Sequence, residues 1–291
     1  MLEHEWEEAL SQWAHARSDI KALVQIGSRV QAMGRADTWS DFDYQLVTSK
    51  PEQYLDGSFA NQIGRCWSVG TNRAFGNVTK VSAVYEGALE AEFVILKHWE
   101  VVLATTALRW PQMEESWPQA LCRGIEDLRG VAGSGWRLVK GGEKWKQRYG
   151  RLRPFQERLT RQEFDQLCGE FWSHLVWGIK KVQRGEYLAA QRAIHEILVE
   201  KTLRLLSEEA LLDGNLAGPR GRRAENWLSP TRLQAVRIVS YADRASLIAA
   251  FQQVVTLFVS VSDVVSDRNG WGSQSYSDTR AWMNEQISLP A

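Results

Sequence analysis

The fold is decided by two short stretches of the sequence, Ala22-Leu23-Val24-Gln25-Ile26-Gly27-Ser28 and Asp41-Phe42-Asp43-Tyr44-Gln45-Leu46-Val47. The first is an apolar run that ends at a glycine and a serine, which predicts a buried strand entering a tight turn. The second combines alternation with aromatic residues, which predicts another strand. Before these two stretches, apolar residues recur at helical spacing over 5–20, which predicts a helix. After them, two more strand patterns follow at 78–85 and 91–96.

The second half of the chain has a different pattern. The periodic signal weakens between residues 103 and 158, where glycine and proline interrupt it. Beyond that region, long stretches free of internal proline predict helices at 161–183, at 186–212 and within 230–267. The length allows two domains, and we place their boundary near residue 150. The sequence therefore predicts an α+β chain, with a strand-rich domain over 1–150 and an α-helical bundle domain over 151–291.

The composition argues against a protein whose main task is to bind nucleic acid. The 291 residues include 35 Lys and Arg against 35 Asp and Glu, so the formal net charge is 0 and the basic surplus of such proteins is missing. Fourteen tryptophans exceed ordinary usage. We expect most of them in the core and the remainder along a cleft for planar or sugar-like ligands.

The cysteines and the N-terminal sequence bear on location. Three cysteines without metal-ligand spacing argue against a disulfide framework and favour a reducing compartment. The acidic residues 1–13 do not resemble a signal peptide, and no run approaches 18 uninterrupted apolar residues. We therefore expect a soluble, cytoplasmic protein without a membrane partner.

The candidate chemistry is concentrated at the two quoted stretches. Side chains two apart on a strand share a face, so Asp41 and Asp43 present paired carboxylates. Two negative charges about 4 Å apart repel by about 4 kcal/mol at an effective dielectric near 20, which favours binding of a cation. Oxygen ligands of this kind suit Mg²⁺ together with substrate phosphates. The Gly27-Ser28 turn supplies backbone N–H groups and a hydroxyl that can approach a phosphate.

A strand ending in Gly-Ser, a strand opening with Asp-x-Asp and a later carboxylate-bearing strand form the motif of the nucleotidyltransferase superfamily. In particular, Gly27-Ser28-Arg29 followed by Asp37-Thr38-Trp39-Ser40-Asp41-Phe42-Asp43 resembles the aminoglycoside 6-adenylyltransferase (streptomycin adenylyltransferase) family. A second island, Glu163-Phe164-Asp165-Gln166-Leu167-Cys168-Gly169-Glu170-Phe171-Trp172, resembles a helix of the same family.

The resemblance implies a nucleotidyltransferase domain with a mixed β-sheet, a helical domain that closes over it, and transfer of AMP from ATP to a hydroxyl of a small antibiotic. It assigns Asp41 and Asp43 to Mg²⁺, and Gly27, Ser28 and Arg29 to the triphosphate. Lys180, from the helical domain, would neutralise phosphate charge across the cleft. Among acceptors, an aminoglycoside such as streptomycin is the first expectation.

The third carboxylate departs from the aminoglycoside pattern. That family has aspartate there, whereas this sequence offers Glu90 and Glu92, and we choose Glu92 because its Glu-Phe context resembles the lincosamide nucleotidyltransferases. A register error of two residues would exchange the two glutamates. Glu92 would bind the metal or act as general base. Asp165 and Glu170 are either a solvated helix face or the acidic groups that receive a cationic acceptor.

Two alternatives from other classes stay open. One keeps the fold but transfers a nucleotide to a protein or to nucleic acid, and the zero net charge counts against nucleic acid. The other is a non-catalytic nucleotide-binding relative, in which the three carboxylates would not converge. The expected partners are thus a nucleoside triphosphate and a small acceptor, and the sequence does not indicate an oligomeric state.

Overall fold

The computed structural model describes residues 3–30, 36–37, 39–74, 78–133, 135–153, 158–215, 217, 221–272 and 276–288. Thr38 of the sequence motif therefore lies outside the described residues. The chain divides into two compact units, Met1–Glu157 and Arg158–Ala291.

The first unit combines strands with helices on both sides of a sheet. Its elements in chain order are α1 (Glu3–His15), β1 (Ile20–Ile26), β2 (Phe42–Thr48), β3 (Cys66–Arg73), β4 (Thr79–Tyr85), β5 (Leu89–Lys97), α2 (His98–Ala107), α3 (Gln119–Ala132), β6 (Arg137–Lys140) and α4 (Glu143–Tyr149), with short 3₁₀ turns at Pro51–Gln53, Ser58–Gln62 and Pro111–Ser116.

Within the described residues, the strands form one six-stranded sheet in the order β3-β4-β5-β2-β1-β6. β2 and β5 run parallel, whereas every other neighbouring pair is antiparallel, so the sheet is mixed. A helical region follows in the second unit, and the predicted α+β fold class is confirmed. The parallel pair matters for the site because it sets Asp43 directly beside Glu92.

Each face of the sheet buries its own apolar cluster. On one face, α1 inserts Trp6 against Phe42 and Tyr44, and Tyr44 stacks on Phe93 with ring centroids 5.6 Å apart. On the other face, Val24 and Ile26 pack with residues of α2, α3 and α4. Because successive side chains of β2 point to opposite faces, Asp43 lies on the second face, at the end of the strand where these helices leave it partly exposed.

Several local predictions need correction in the first unit. The helix predicted over 5–20 ends at His15, because Ile20 already begins β1. Asp41 lies just before β2 rather than inside it. The region of weak signal after residue 103 contains β6 and most of α2–α4, and β3 also went unpredicted.

The second unit is helical. Its elements are α5 (Arg161–Gln183), α6 (Tyr187–Arg192), a π-helical turn (Ala193–Leu198), α7 (Val199–Leu212), α8 (Pro230–Val236), α9 (Arg244–Asn269) and α10 (Ser277–Ser288), with a 3₁₀ turn at Ala224–Asn226. Helix α5 has the predicted bounds, and a capping box between Thr160 and Glu163 fixes its start. Phe171 and Phe258 stack face to face between α5 and α9.

Helix α9 is long and apolar enough to cross a membrane by length and composition alone. Its inward side includes Leu247, Phe251, Val254 and Phe258, which belong to the core of the second unit. The core helix of a soluble protein passes the same test, so this is weak evidence for a membrane span.

Candidate functional site

The turn after β1 brings Gly27 against Asp43. Ile26 and Asp43 are register partners in the antiparallel β1–β2 pair, so the residue after Ile26 lies beside the Asp43 side chain. Gly27 has a φ of +76°, in the left-handed region. A Cβ placed on Gly27 would lie 2.1 Å from Oδ2 of Asp43. Only glycine satisfies both the backbone conformation and this close approach.

Three carboxylates converge next to this turn. Asp43 and Glu92 are register partners in the parallel β2–β5 pair, and Asp41 leads into β2. One oxygen from each of Asp41, Asp43 and Glu92 lies within 4.8 Å of the others, and all three residues are partly exposed. An oxygen-only donor set with access to solvent and phosphate fits Mg²⁺. Glu90 is not a member of this cluster among the described residues.

Glu92 is held by two donors from the neighbouring strand β4. The ammonium of Lys80 lies 2.7 Å from Oε1 of Glu92, and the hydroxyl of Ser82 donates to the same oxygen at 3.2 Å. Both side chains of the ion pair are about three-tenths exposed. Both donors therefore orient the Glu92 carboxylate through the same oxygen.

The hydroxyl of Ser28 is an unpaired polar group. Its Oγ is buried and has no hydrogen-bond partner among the described residues. A buried hydroxyl without a partner costs about 1–3 kcal/mol, so it favours a ligand oxygen at this position. Ser28 follows Gly27, where Val30 N donates to Gly27 O at 3.2 Å to close the turn. The orphaned hydroxyl and the glycine turn together fit a phosphate.

Arg29 makes other contacts. Its guanidinium donates to Glu3 of α1 and to backbone carbonyl oxygens of Ser40 and Asp41. The role of Arg29 toward phosphate stays a prediction.

The remaining predicted residues belong to the second unit. Lys180 is exposed on α5. Asp165 accepts from Nε of Arg161 at both of its carboxylate oxygens, at 2.7 and 2.9 Å. Glu170 pairs with Lys201 and also accepts from Gln166 at 2.8 Å, and these hydrogen bonds lower the pKa of the Glu170 carboxyl. Asp165 and Glu170, the two carboxylates predicted to bind a cationic acceptor, are therefore already paired with cationic side chains of the protein itself.

Two tryptophans of α5, Trp172 and Trp177, differ in exposure. Trp172 is buried and stacks on Tyr276 at 5.2 Å, so it is part of the core. Trp177 is 43% exposed, and the ammonium of Lys181 lies 5.4 Å from its ring centroid.

Sequence reasoning missed Lys80, Ser82 and Glu3. The spacing of Lys80 and Ser82 places both on one face of β4, which was a usable signal. The pairing of that face with Glu92, however, depends on the sheet order. Glu3 gave no signal, because its contact with Arg29 joins residues far apart in the sequence.

Comparisons with known proteins give structural similarity only. No protein-family model and no curated protein matches the sequence. A crystal structure described as an aminoglycoside 6-adenyltransferase from Bacillus subtilis is 15% identical, with 98% of this chain and 99% of that chain covered and a TM-score of 0.46. A nucleotidyltransferase-like protein from Exiguobacterium sibiricum is 14% identical, with 90% and 77% covered and a TM-score of 0.38.

The similar structures are thus of the kind that the sequence resembles. At such low identity the likeness does not carry a substrate, a metal or an activity from those proteins to this one.

Proposed function

We propose that this protein is a Mg²⁺-dependent nucleotidyltransferase that transfers AMP from ATP to a hydroxyl of a small acceptor. The observation that carries the proposal is the convergence of Asp41, Asp43 and Glu92 within 4.8 Å. The glycine turn at Gly27 and the orphaned hydroxyl of Ser28 support it, because they supply the phosphate-binding half of the site beside the metal-binding half.

In this proposal Asp41, Asp43 and Glu92 hold Mg²⁺. The bound ion would polarise the phosphoryl oxygens and offset the negative charge that develops on them. Ser28 Oγ donates to a phosphate oxygen and so gains the partner that it lacks. Lys180 contacts the triphosphate from the helical unit.

The reaction forms a bond between the acceptor hydroxyl oxygen and the α-phosphorus, and it breaks the bond from that phosphorus to the bridging oxygen of the β-phosphate. Pyrophosphate leaves with the electron pair of the broken bond. The hydroxyl proton passes to a carboxylate, and Glu92 is our choice because Lys80 and Ser82 donate to its Oε1. Their two hydrogen bonds fix the orientation of the carboxylate that receives the proton.

The first candidate acceptor is an aminoglycoside such as streptomycin, following the sequence motif, with Asp165 and Glu170 as carboxylates for its ammonium groups. One observation favours a second candidate. Because Asp165 is paired with Arg161 and Glu170 with Lys201, a polycationic acceptor must compete with internal cations. A lincosamide carries less charge and would avoid that competition.

We place the reaction in the cytoplasm, where ATP and Mg²⁺ are both available. The three cysteines, Cys66, Cys122 and Cys168, are free thiols, as expected in a reducing compartment.

The test is an assay for pyrophosphate with purified protein and Mg²⁺, each of the four nucleoside triphosphates, and a panel of aminoglycosides and lincosamides. We expect acceptor-dependent pyrophosphate release with ATP. Asp41→Asn and Asp43→Asn should each lower turnover by about 100-fold or more, since metal-held charge supplies several kcal/mol of the catalysis.

Glu90→Gln is the matched control for Glu92→Gln, because Glu90 is an exposed glutamate two residues away on the same strand. We expect activity to survive in Glu90→Gln and to be lost in Glu92→Gln. Unchanged turnover in the folded Asp41→Asn or Asp43→Asn variant would refute the metal assignment. If no combination of nucleoside triphosphate and acceptor releases pyrophosphate, transfer to these acceptors is refuted.

A further inference from the structure

The guanidinium of Arg29 donates hydrogen bonds to the backbone just before β2, where Asp41, a proposed metal ligand, is located. Nε donates to Ser40 O at 3.1 Å and to Asp41 O at 3.3 Å, and Nη2 donates to Ser40 O at 2.7 Å. Its central carbon lies 3.7 Å from the centroid of the Phe42 ring. The Arg29 side chain is only 15% exposed. Arg29 therefore contacts the two residues before β2, Ser40 and Asp41, and the first residue of the strand, Phe42.

Glu3 completes the surroundings of the guanidinium from the first turn of α1. Its Oε2 accepts from Nη1 at 3.1 Å and its Oε1 accepts from Nη2 at 3.0 Å. This two-point pairing fixes the plane of the guanidinium as well as its position. All three guanidinium nitrogens of Arg29 thus have acceptors inside the first unit. Glu3 itself is negative and would repel a triphosphate.

We propose that Glu3 and Arg29 are positioning residues that hold the metal ligand Asp41 in place before the metal binds. The inference rests on the proposed function, because it needs Asp41 to be a ligand. A loop that is already fixed loses less conformational entropy when its carboxylate binds a cation, so its affinity for that cation is higher. Helix α1 therefore contributes to metal affinity without contacting the metal.

This role differs from the phosphate contact that the sequence motif implies for Arg29, and the two roles predict different results for Glu3→Gln. If Arg29 serves phosphate, loss of Glu3 releases the guanidinium, so ATP binding is unchanged or stronger and metal binding without nucleotide is unaffected. If Arg29 positions Asp41, loss of Glu3 weakens metal binding in the absence of any nucleotide.

The experiment measures Mn²⁺ binding to the nucleotide-free, full-length protein by electron paramagnetic resonance and calorimetry. We expect Glu3→Gln to weaken Mn²⁺ binding about threefold to fivefold, and Arg29→Met about tenfold, in line with residues that orient metal ligands. Glu7→Gln is the matched control. Glu7 lies one turn further along α1 and pairs with Arg137, so the variant removes the same charge and a similar ion pair elsewhere.

A double variant separates positioning from a general loss of negative charge. In the Arg29→Met background, Glu3→Gln should have no further effect on Mn²⁺ affinity, because Glu3 acts through Arg29. A general charge effect would persist in that background. Melting temperatures of all variants identify any that fail to fold, and Glu3→Gln, altering a half-exposed side chain, keeps the test available if Arg29→Met does not fold.

Equal Mn²⁺ affinity in wild type, Glu3→Gln and Glu7→Gln would overturn the positioning role, as would an undiminished effect of Glu3→Gln in the Arg29→Met background. A different result would refute the proposed function, namely Asp41→Asn and Asp43→Asn variants that bind Mn²⁺ as tightly as wild type does. Loss of binding in those two variants together with an unchanged Glu3→Gln protein would leave the function standing and refute only the role of Glu3 and Arg29.

Discussion

Gly27 and Asp43 are in contact so close that the site has no room for a side chain on the glycine. A Cβ on Gly27 would lie 2.1 Å from Oδ2 of Asp43, and the φ of +76° adds backbone strain for any other residue. We predict that Gly27→Ala displaces the Asp43 carboxylate and weakens Mn²⁺ binding about tenfold or more. Calorimetry on the nucleotide-free protein checks this.

Gly185→Ala is the control for backbone strain, since Gly185 has a similar φ of +71° but no atom within 4 Å of the added Cβ. The strain is worth about 1–2 kcal/mol, so both variants should lower the melting temperature by a few degrees, about 2–4 °C per kcal/mol. Only Gly27→Ala should lose metal. Equal Mn²⁺ affinity in the two alanine variants would contradict the steric argument.

The ammonium of Lys80 lies 2.7 Å from Oε1 of Glu92, a carboxylate that we assign to the metal. In the metal-free protein this charge offsets repulsion among the three carboxylates. We predict that Lys80→Met is destabilised by about 1 kcal/mol in chelator, a drop of about 2–4 °C. Added Mg²⁺ should raise its melting temperature by more than it raises that of wild type.

Lys97→Met is the control for removal of an exposed lysine from the same unit, because Lys97 pairs with Glu100 on the surface. Its response to Mg²⁺ should equal that of wild type. If Lys80→Met and Lys97→Met respond alike, Lys80 does not compensate charge at this site.

The sequence predicted those features that depend on neighbours in the chain. The Gly27-Ser28 turn and the strand after Asp41 have short-range signals, an apolar run ended by glycine and an alternating aromatic run. Helix α5 has the predicted bounds because the capping box at its start is local.

The features that were missed depend on tertiary structure. β3 is an edge strand whose residues are almost all exposed, so it lacks the alternation that marks a half-buried strand. β6 has four residues and is a strand only because it pairs with β1. The contacts of Lys80 with Glu92 and of Glu3 with Arg29 likewise follow from strand order and from the docking of α1.

Cys168 offers a probe of the helical unit. It is 2% exposed, and burial raises the pKa of its thiol to about 12. At pH 8 about one molecule in 10⁴ then carries the reactive thiolate, so Cys168 should resist a disulfide reagent in the native state. In a variant with Cys66→Ser and Cys122→Ser, labelling should begin only where denaturant unfolds the helices, as followed by circular dichroism. Rapid labelling of that variant in native buffer would contradict the burial of Cys168.

Lys180 is the residue of the helical unit that we assign to the triphosphate. A charge-assisted hydrogen bond contributes about 1.5–3 kcal/mol, so Lys180→Ala should weaken ATP binding by about tenfold or more, as measured by calorimetry with Mg²⁺ present. Lys181→Ala is the matched control, because Lys181 already pairs with Glu186 at 2.6 Å. Equal ATP affinity in the two variants would remove Lys180 from the site.

The identity of the acceptor depends on Glu170, whose carboxylate is paired with Lys201 and whose pKa these hydrogen bonds lower. If Glu170 binds an ammonium of an aminoglycoside, Glu170→Gln should weaken streptomycin binding about tenfold, since a charged hydrogen bond is lost. Lys201→Met should strengthen it, because an internal competitor is removed. Asp165→Asn should act in the same direction as Glu170→Gln.

The salt dependence of binding tests the identity of the acceptor independently. At 0.5 M salt the screening length falls below about 5 Å, so binding that depends on charge pairing should weaken several-fold relative to 0.05 M. We expect this for streptomycin in calorimetric titrations, with the largest salt effect in Lys201→Met. The opposite result would be lincosamide binding that changes neither with salt nor with any of the three substitutions, and no streptomycin binding under any condition. This result would reject the aminoglycoside as acceptor. It would favour the less charged lincosamide, which apolar contacts can bind without a carboxylate partner.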